Sequence, residues 1–350
     1  MGSSFGSDHL VLMAEAAGLL AFVLSGALLV QILVLHWRRG IRARRRRIVE
    51  DRWRPVLLKA LYGIPDRPPP LAAGEARPVL RLWTRMHASV RGAARDRLVR
   101  LAREVGAPDR ARALFRSRRL RDRLLATTAL GRMRSLDDWD EVARLLGHRH
   151  AILALTAARA LIHMDAERAV EILVPLLVER DDWYPFRGLA LLRAAGPGVV
   201  SRPLAGALES ASWRGRLRLL RYLEAADPSV AAGAARPIAR TTRNPAVLAA
   251  CLRLLKTPED LDLVRRHLEH PAWEVRVRAA VALGRLGTEA DVPRLEALLS
   301  DREWWVRYRA AQALAAMPFV DRARLEAIRR RHPDPFARDI LGQVAAEGAA

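Results

Sequence analysis

Apolar positions are distributed along this chain in two different ways. From Ala16 to Leu35 they are continuous: AAGLLAFVLSGALLVQILVL holds no charge, and Ser25 and Gln31 are its only polar interruptions. At a rise of about 1.5 Å per residue such a helix covers about 30 Å, the thickness of a bilayer's hydrocarbon core. The pattern therefore predicts a transmembrane helix over 16–35. From about residue 87 onward, Leu, Ala and Val instead recur at helical spacing, with short turns between helices. Between these regions, 51–86 contains Trp53, Pro55, Gly63, Pro65 and the run 68–70 of three prolines. Proline lacks an amide donor and fixes φ, so no continuous helix is expected through 68–70, and 51–86 reads as a linker or irregular N-terminal cap.

The helical region repeats itself. HPAWEVRVRAAVALGRLG at 270–287 superposes on DREWWVRYRAAQALAAMP at 301–318, pairing Trp273 with Trp304, Arg276 with Arg307 and Leu283 with Leu314, all 31 residues apart. DVPRLEALLS at 291–300 supplies a second helix, so the unit is an antiparallel helix pair, the signature of an α-solenoid. Weaker copies carry the register backwards through Leu255, Leu223, Leu191, Leu161 and Leu130. Alanines let paired helices approach closely, and Leu and Val bury between units. Tryptophans 139, 183, 213, 273 and 304 fall near helix starts, where packing between repeats is the expected role. Asp301 lies six residues before Arg307, placed to cap the helix and to meet that guanidinium with its carboxylate.

With its WEVRVRAAVALGRLG and WWVRYRAAQALAAM motifs, the body resembles bacterial HEAT-like repeat proteins, including repeats related to those of phycobilisome lyases. The resemblance is strongest over 270–318 and looser over 118–268. It implies a curved protein-binding scaffold, in a fold that some lyases and DNA glycosylases also use. The whole layout, an N-terminal anchor followed by WRPVLLKALYG and repeats, looks like HEAT-like proteins associated with membrane glycosyltransferases and exopolysaccharide systems.

Composition agrees with an all-α protein: aromatics are 5%, and Arg, Ala and Leu dominate. The net charge is +22, yet Lys59 and Lys256 are the only lysines, a skew that coding bias also produces. The placement of the charge says more than its total. Residues 36–60 hold ten basic against two acidic side chains, whereas 1–15 carries only Asp8 and Glu15. Arg38, Arg39, Arg42, Arg44, Arg45, Arg46 and Arg47 directly follow the apolar run, so the positive-inside rule predicts an N-terminus outside and a cytoplasmic body. Trp37 and these arginines suit the headgroup level, where anionic lipid headgroups are the expected contact, and Gln31 suits contact with another membrane helix. A cleaved signal peptide would need a basic n-region and a shorter apolar stretch. The expected organisation is thus an all-α, HEAT-like α-solenoid preceded by a single transmembrane helix. Its parts are a non-cytoplasmic N-terminus at 1–15, the helix at 16–35, a basic juxtamembrane segment at 36–50, a linker or cap at 51–86, and repeats with a C-terminal cap at 87–350. The expected location is a bacterial inner membrane.

No phosphate-binding loop, dinucleotide fingerprint, zincin motif or hydrolase elbow occurs, so no catalytic residue, metal ligand or cofactor is expected. His267 and His270, with Asp262, Glu269 and Glu274 nearby, and His148 and His150, near Asp137, Asp138 and Asp140, are the sets that most resemble metal ligands, but both occupy turns where polar residues belong. Cys251 aligns with Ala279, a small buried slot. The repeat-structural residues are Trp273, Arg276, Leu283, Asp301, Trp304, Arg307 and Leu314. The function expected is a membrane-anchored scaffold for a protein partner, an integral membrane enzyme such as a glycosyltransferase of envelope polysaccharide production. Nucleic-acid binding by the basic solenoid and a lyase-like or glycosylase-like enzyme are the alternatives.

Overall fold

A computed structural model describes the backbone of residues 5–65 and 67–347, and within these the side chains of all but 5–25, 27, 35, 38, 39, 41 and 42. The described residues are all-α, and the chain divides after Met133 into two compact units.

The first unit contains α1 (Phe5–Tyr62), α2 (Ala76–Ser89), α3 (Ala93–Glu104), α4 (Ala107–Phe115) and α5 (Leu120–Met133). Its core gathers Trp53 and Leu57 of α1, Leu80 and Trp83 of α2, Leu98 of α3 and Leu130 of α5. Both indoles find partners: Trp53 Nε1 donates to Glu75 Oε2 at 3.1 Å, and Trp83 Nε1 to the Leu98 carbonyl at 2.9 Å. α1 ends at Gly63, whose φ of 73° is the left-handed conformation favouring glycine after a helix. Arg97 covers that end, donating from Nε to the carbonyls of Ala60 and Leu61 at 3.2 and 3.1 Å.

α1 corrects the membrane expectation. Among the described residues no helix is long and apolar enough to cross a membrane. The side chains of 16–25 lie outside the described residues. Gln31 and Trp37 are exposed on α1, as are Arg44, Arg45, Arg46 and Arg47, while the side chains of Arg38, Arg39 and Arg42 are not described. The helix runs without a break through the arginine cluster to Trp53, which anchors it in the first unit's core. The transmembrane segment, the single-pass inner-membrane location and the contact with lipid headgroups are therefore withdrawn, and the fold class is an all-α, HEAT-like α-solenoid that, among the described residues, no membrane-crossing helix precedes.

The second unit is a stack of helix pairs. Its members are α6 (Trp139–Ala143), α7 (Ala151–Met164), α8 (Ala166–Glu179), α9 (Pro185–Ala195), α10 (Pro197–Ser210), α11 (Trp213–Tyr222), α12 (Pro228–Thr241), α13 (Pro245–Leu254), α14 (Leu261–Arg266), α15 (Trp273–Leu286), α16 (Val292–Leu298), α17 (Trp304–Ala316), α18 (Arg322–Arg331) and α19 (Pro335–Glu347). The odd-numbered helices from α7 to α19 pack side by side in chain order. Local signals set the boundaries. Pro185, Pro197, Pro228, Pro245 and Pro335 occupy first-turn positions, where the missing amide costs nothing, and Asn244 accepts from the amides of Ala246 and Val247. Thr257–Asp260 and Thr288–Asp291 are capping boxes 31 residues apart that open α14 and α16. Leu161, Leu191, Leu223, Leu255, Leu283 and Leu314 are all fully or almost fully buried, as the repeat register requires. Where α15 meets α17, a Cβ on Gly284 would lie 2.7 Å from that of Ala313, so only glycine permits this approach.

Candidate protein-binding face

Two polar systems hold the repeats of the second unit in register. The first links neighbouring repeats. Arg265 of α14 grips Asp291 with Nε and Nη2, both at 2.8 Å, and Arg276 of α15 grips Asp301 with the same two atoms, both at 2.7 Å. Arg236 of α12 reaches Asp260 at 2.5 Å and Thr257 at 2.7 Å. Asp260 and Asp291 are fully buried, so these fork-to-carboxylate pairs operate where water competes least. Burial works most strongly against the charge on Asp291. Arg265 and the amide and hydroxyl of Thr288 together outweigh it and hold the carboxyl down to about 2. Asp260 and Asp301 are lowered in the same way, burial opposing and their arginines prevailing.

The second system ties each turn to its own helix. Thr242, His270, Asp301 and His332 each accept the amide two residues on, at intervals of 28, 31 and 31. Six residues after the last three, Arg276, Arg307 and Arg338 donate back to the turn carbonyls, at 2.9 Å to His270, 2.8 Å to Asp301 and 2.9 Å to His332. Arg307 thus meets the backbone of Asp301, while the Asp301 carboxylate serves Arg276 of the preceding repeat. The terminal helix α19 carries the same marks, a His-Pro turn at 332–333 and Arg338, at the end where the sequence places a cap.

The helix starts present a different surface. Trp139 and Trp183 are buried, as the packing reading requires, but Trp213, Trp273 and Trp304 are 54%, 37% and 42% exposed. Phe186, Trp305 and Phe336 are also exposed, each at the second residue of its helix. Because α9 to α19 (odd-numbered) lie side by side and run in the same direction, these rings share one edge of the stack. At its C-terminal end Trp304 stacks on Tyr308, centroids 5.0 Å apart and planes 8° off parallel, and the Arg307 guanidinium lies 5.9 Å from the Phe336 ring. Sequence identity alone does not distinguish a ring turned inward from one left on this edge.

Arginines cross the same helices farther along. Arg253 of α13 pairs with Glu224 at 2.8 Å, and Arg309 of α17 donates to Gln312 at 2.7 Å. Arg278 and Arg285 of α15 remain open to solvent, yet both guanidiniums are pushed below their ordinary range. For Arg278 the cause is loss of solvation first, then Arg253 and Arg309; for Arg285 it is loss of solvation, then Arg278. Like charges are thus crowded along this face with Glu224 as the nearby carboxylate. A guanidinium stays charged under such pressure.

The sets that most resembled metal ligands do not assemble. His267 Nδ1 lies 2.7 Å from the Leu263 carbonyl and His270 Nδ1 accepts from Ala272, while His148 Nδ1 accepts from His150. Among the described residues no group of three or more His, Cys, Asp or Glu is placed to hold a metal ion. Cys251 is buried, and burial raises its thiol to about 12, against the smaller pull of Arg216 and Arg253.

Comparison with known proteins agrees with this architecture. Residues 216–315 and 262–341 match the family model for HEAT repeats. No curated protein matches. Among solved structures, the crystal structure of a Kap121p mutant superposes with a TM-score of 0.51 at 13% identity, over 84% of this chain and 37% of that one. The structure of human deoxyhypusine hydroxylase in complex with glycerol aligns at 18% identity over 77% of this chain and 94% of that one, with a TM-score of 0.28. The first likeness shows the fold alone, and this chain spans little more than a third of that protein; the second carries no argument. The chain is thus an all-α, HEAT-like repeat protein in fold, and such stacks of helix pairs generally serve as extended binding surfaces and scaffolds. The membrane-anchored, phycobilisome-lyase-related family expected from sequence is corrected accordingly.

Proposed function

We propose that the protein is a HEAT-type scaffold that holds a partner protein by positioning and carries out no bond chemistry. The partner docks on the face formed by α11, α13, α15 and α17, placing an acidic segment against Arg253, Arg278, Arg285 and Arg309. The observation that carries this reading is the pair of exposed arginines on α15, Arg278 and Arg285, beside an edge of exposed aromatic rings. Aromatic and arginine side chains are the residues that most often dominate protein interfaces. A nucleic acid suits this face less well. Glu274 and Glu303 adjoin Trp273 and Trp304, and Glu347 accepts from Tyr308 at 2.9 Å, so bases stacked on the edge would bring phosphates toward carboxylates.

The test compares the wild-type chain with Arg278→Glu/Arg285→Glu by quantitative cross-linking mass spectrometry in the native cell. Lys59 and Lys256 are the only lysines, so the reagent must be photoactivated or carboxylate-reactive. The expected result is a protein cross-linked to α13–α17 that the variant loses, with the variant's helical circular dichroism unchanged. Equal recovery with both chains, or cross-links confined to other helices, removes this face from the reading. Salt-sensitive retardation of DNA or RNA that the variant abolishes assigns the face to nucleic acid instead.

A further inference from the structure

The arginines of α1 need a new account once the membrane is withdrawn, and the first unit supplies one. An open cavity of about 980 Å³ lies between α1, α2 and the start of α5. Six guanidinium-bearing residues line it: Arg45 and Arg46 of α1, Arg77 and Arg81 of α2, and Arg119 and Arg121 at the α5 N-terminus. Segments 45–46, 77–81 and 119–121 are far apart in the chain, so the fold, not a local run of sequence, assembles this concentration of charge.

The carboxylates present account for two of the six. Arg46 Nε pairs with Glu50 at 2.6 Å, and Arg77 Nη2 with Asp122 at 2.6 Å, where Ser117 Oγ also donates at 3.1 Å. Asp122 is buried, so the Arg77 guanidinium is held in place on the cavity wall. Among the described residues, Arg45, Arg81, Arg119 and Arg121 have no carboxylate within ion-pair distance, and all four are exposed. The remaining lining is small or apolar: Ala43, Val49, Gly74, Pro78 and Leu120. Like charges that converge on one concavity focus its field and concentrate counter-ions there.

From this convergence of four uncompensated guanidiniums on one cavity, we propose that the first unit binds a short oligophosphate chain, either an inorganic polyphosphate or the phosphate tail of a nucleotide. Three features select this chemistry. The guanidinium fork matches phosphate oxygens two at a time, and forks here come from three separate segments, which suits a ligand with several phosphates in sequence. The cavity is within the size range of small-molecule sites. An acidic peptide would spread its charges over a longer chain than this concavity holds, with only Val49, Pro78 and Leu120 as apolar anchors. The proposal is independent of the partner-binding face, since all its residues belong to the first unit.

Isothermal titration of the full chain with tripolyphosphate, at about 50 mM salt, is the direct test. The expected result is saturable one-to-one binding. Affinity should fall at least tenfold in Arg81→Gln/Arg121→Gln and, separately, in Arg45→Gln/Arg119→Gln, while Arg278→Gln/Arg285→Gln binds as the wild type does. Far-ultraviolet circular dichroism controls for folding, and the two double variants give independent chances of a folded protein. Comparison with a nucleoside triphosphate and the corresponding monophosphate separates the sources: equal affinity for the two triphosphates assigns a bare phosphate chain, and a preference for the nucleotide assigns its tail. Absence of saturable binding, wild-type affinity in both double variants, or equal affinity for orthophosphate overturns the proposal. Binding of a single-stranded oligonucleotide that tripolyphosphate does not displace overturns it in favour of a nucleic-acid groove.

Discussion

The ladder of the second unit and the cavity of the first use the same residue in opposite ways. In the second, Arg236, Arg265 and Arg276 are spent on buried carboxylates of the next repeat, and Arg307 and Arg338 on turn carbonyls. In the first, Arg45, Arg81, Arg119 and Arg121 surround a cavity with no carboxylate paired to them. A total of +22 therefore has no single meaning. Charge that is met within the fold specifies repeat stacking, whereas charge left unmet marks a place where an external anion lowers the free energy. The relevant quantity is the number of partners each guanidinium has.

The most severe way to break this comparison is to remove one acid from the ladder. Arg276 and Asp301 side chains are 7% and 9% exposed, and Asp301→Ala leaves the guanidinium buried with only carbonyl partners. The expected loss is about 3–5 kcal/mol, read as a lower urea midpoint for the second unit. Asp262, 85% exposed and bonded to Arg265 three residues on, is the matched control; Asp262→Ala should cost well under about 1 kcal/mol. Equal losses from the two variants would mean that the ladder is incidental to stacking.

How much of this was legible in the sequence depended on how far each partner lies along the chain. The 31-residue register and its buried leucines were legible because one helix face repeats in every unit. The Asp301 carboxylate was expected on Arg307, the nearest arginine in helical reach, whereas it bonds Arg276 across the repeat boundary. The kinship of the terminal helix α19 to the repeats was obscured because Ile340 and Leu341 replace the Arg309–Ala310 pair, and its remaining signals are a His-Pro turn and an arginine six residues on. The edge tryptophans and the first unit's cavity were not legible at all. Both depend on which way a helix faces after packing, and local apolarity or charge is the same in either orientation.

Acid provides the second, intermediate test. Asp291 titrates at about 2 in the fold, against roughly 3.9 for a free aspartate, so its contribution is complete above about pH 4 and is lost as pH falls toward 2. That contribution is on the order of 1–2 kcal/mol once solvent screening is allowed for. Asp260 and Asp301 are lowered too and act in the same direction. Urea midpoints should therefore drop between about pH 4 and 2, and Asp291→Asn should flatten the drop while lowering the plateau. A variant whose midpoint keeps the wild-type slope would show that Asp291 is not ionised against Arg265 in the folded chain.

The smallest effect has the opposite sign, which makes it the sharpest discriminator between the units. If Arg81 and Arg121 crowd like charges without partners, Arg81→Gln/Arg121→Gln removes repulsion and breaks no ion pair. The ligand-free protein should then gain a few tenths of a kcal/mol at low ionic strength, about the size of a like-charge penalty between helix neighbours. Because the cavity is open, salt should erase the gain: at about 0.5 M the screening length falls well below 10 Å, and wild type and variant should unfold together. Ladder substitutions such as Asp301→Ala should lose stability at either salt concentration, since buried pairs are screened far less. A loss of stability in Arg81→Gln/Arg121→Gln would place those arginines in the fold's own support, and the contrast between the second unit's paired ladder and the first unit's unpaired cavity arginines would fail.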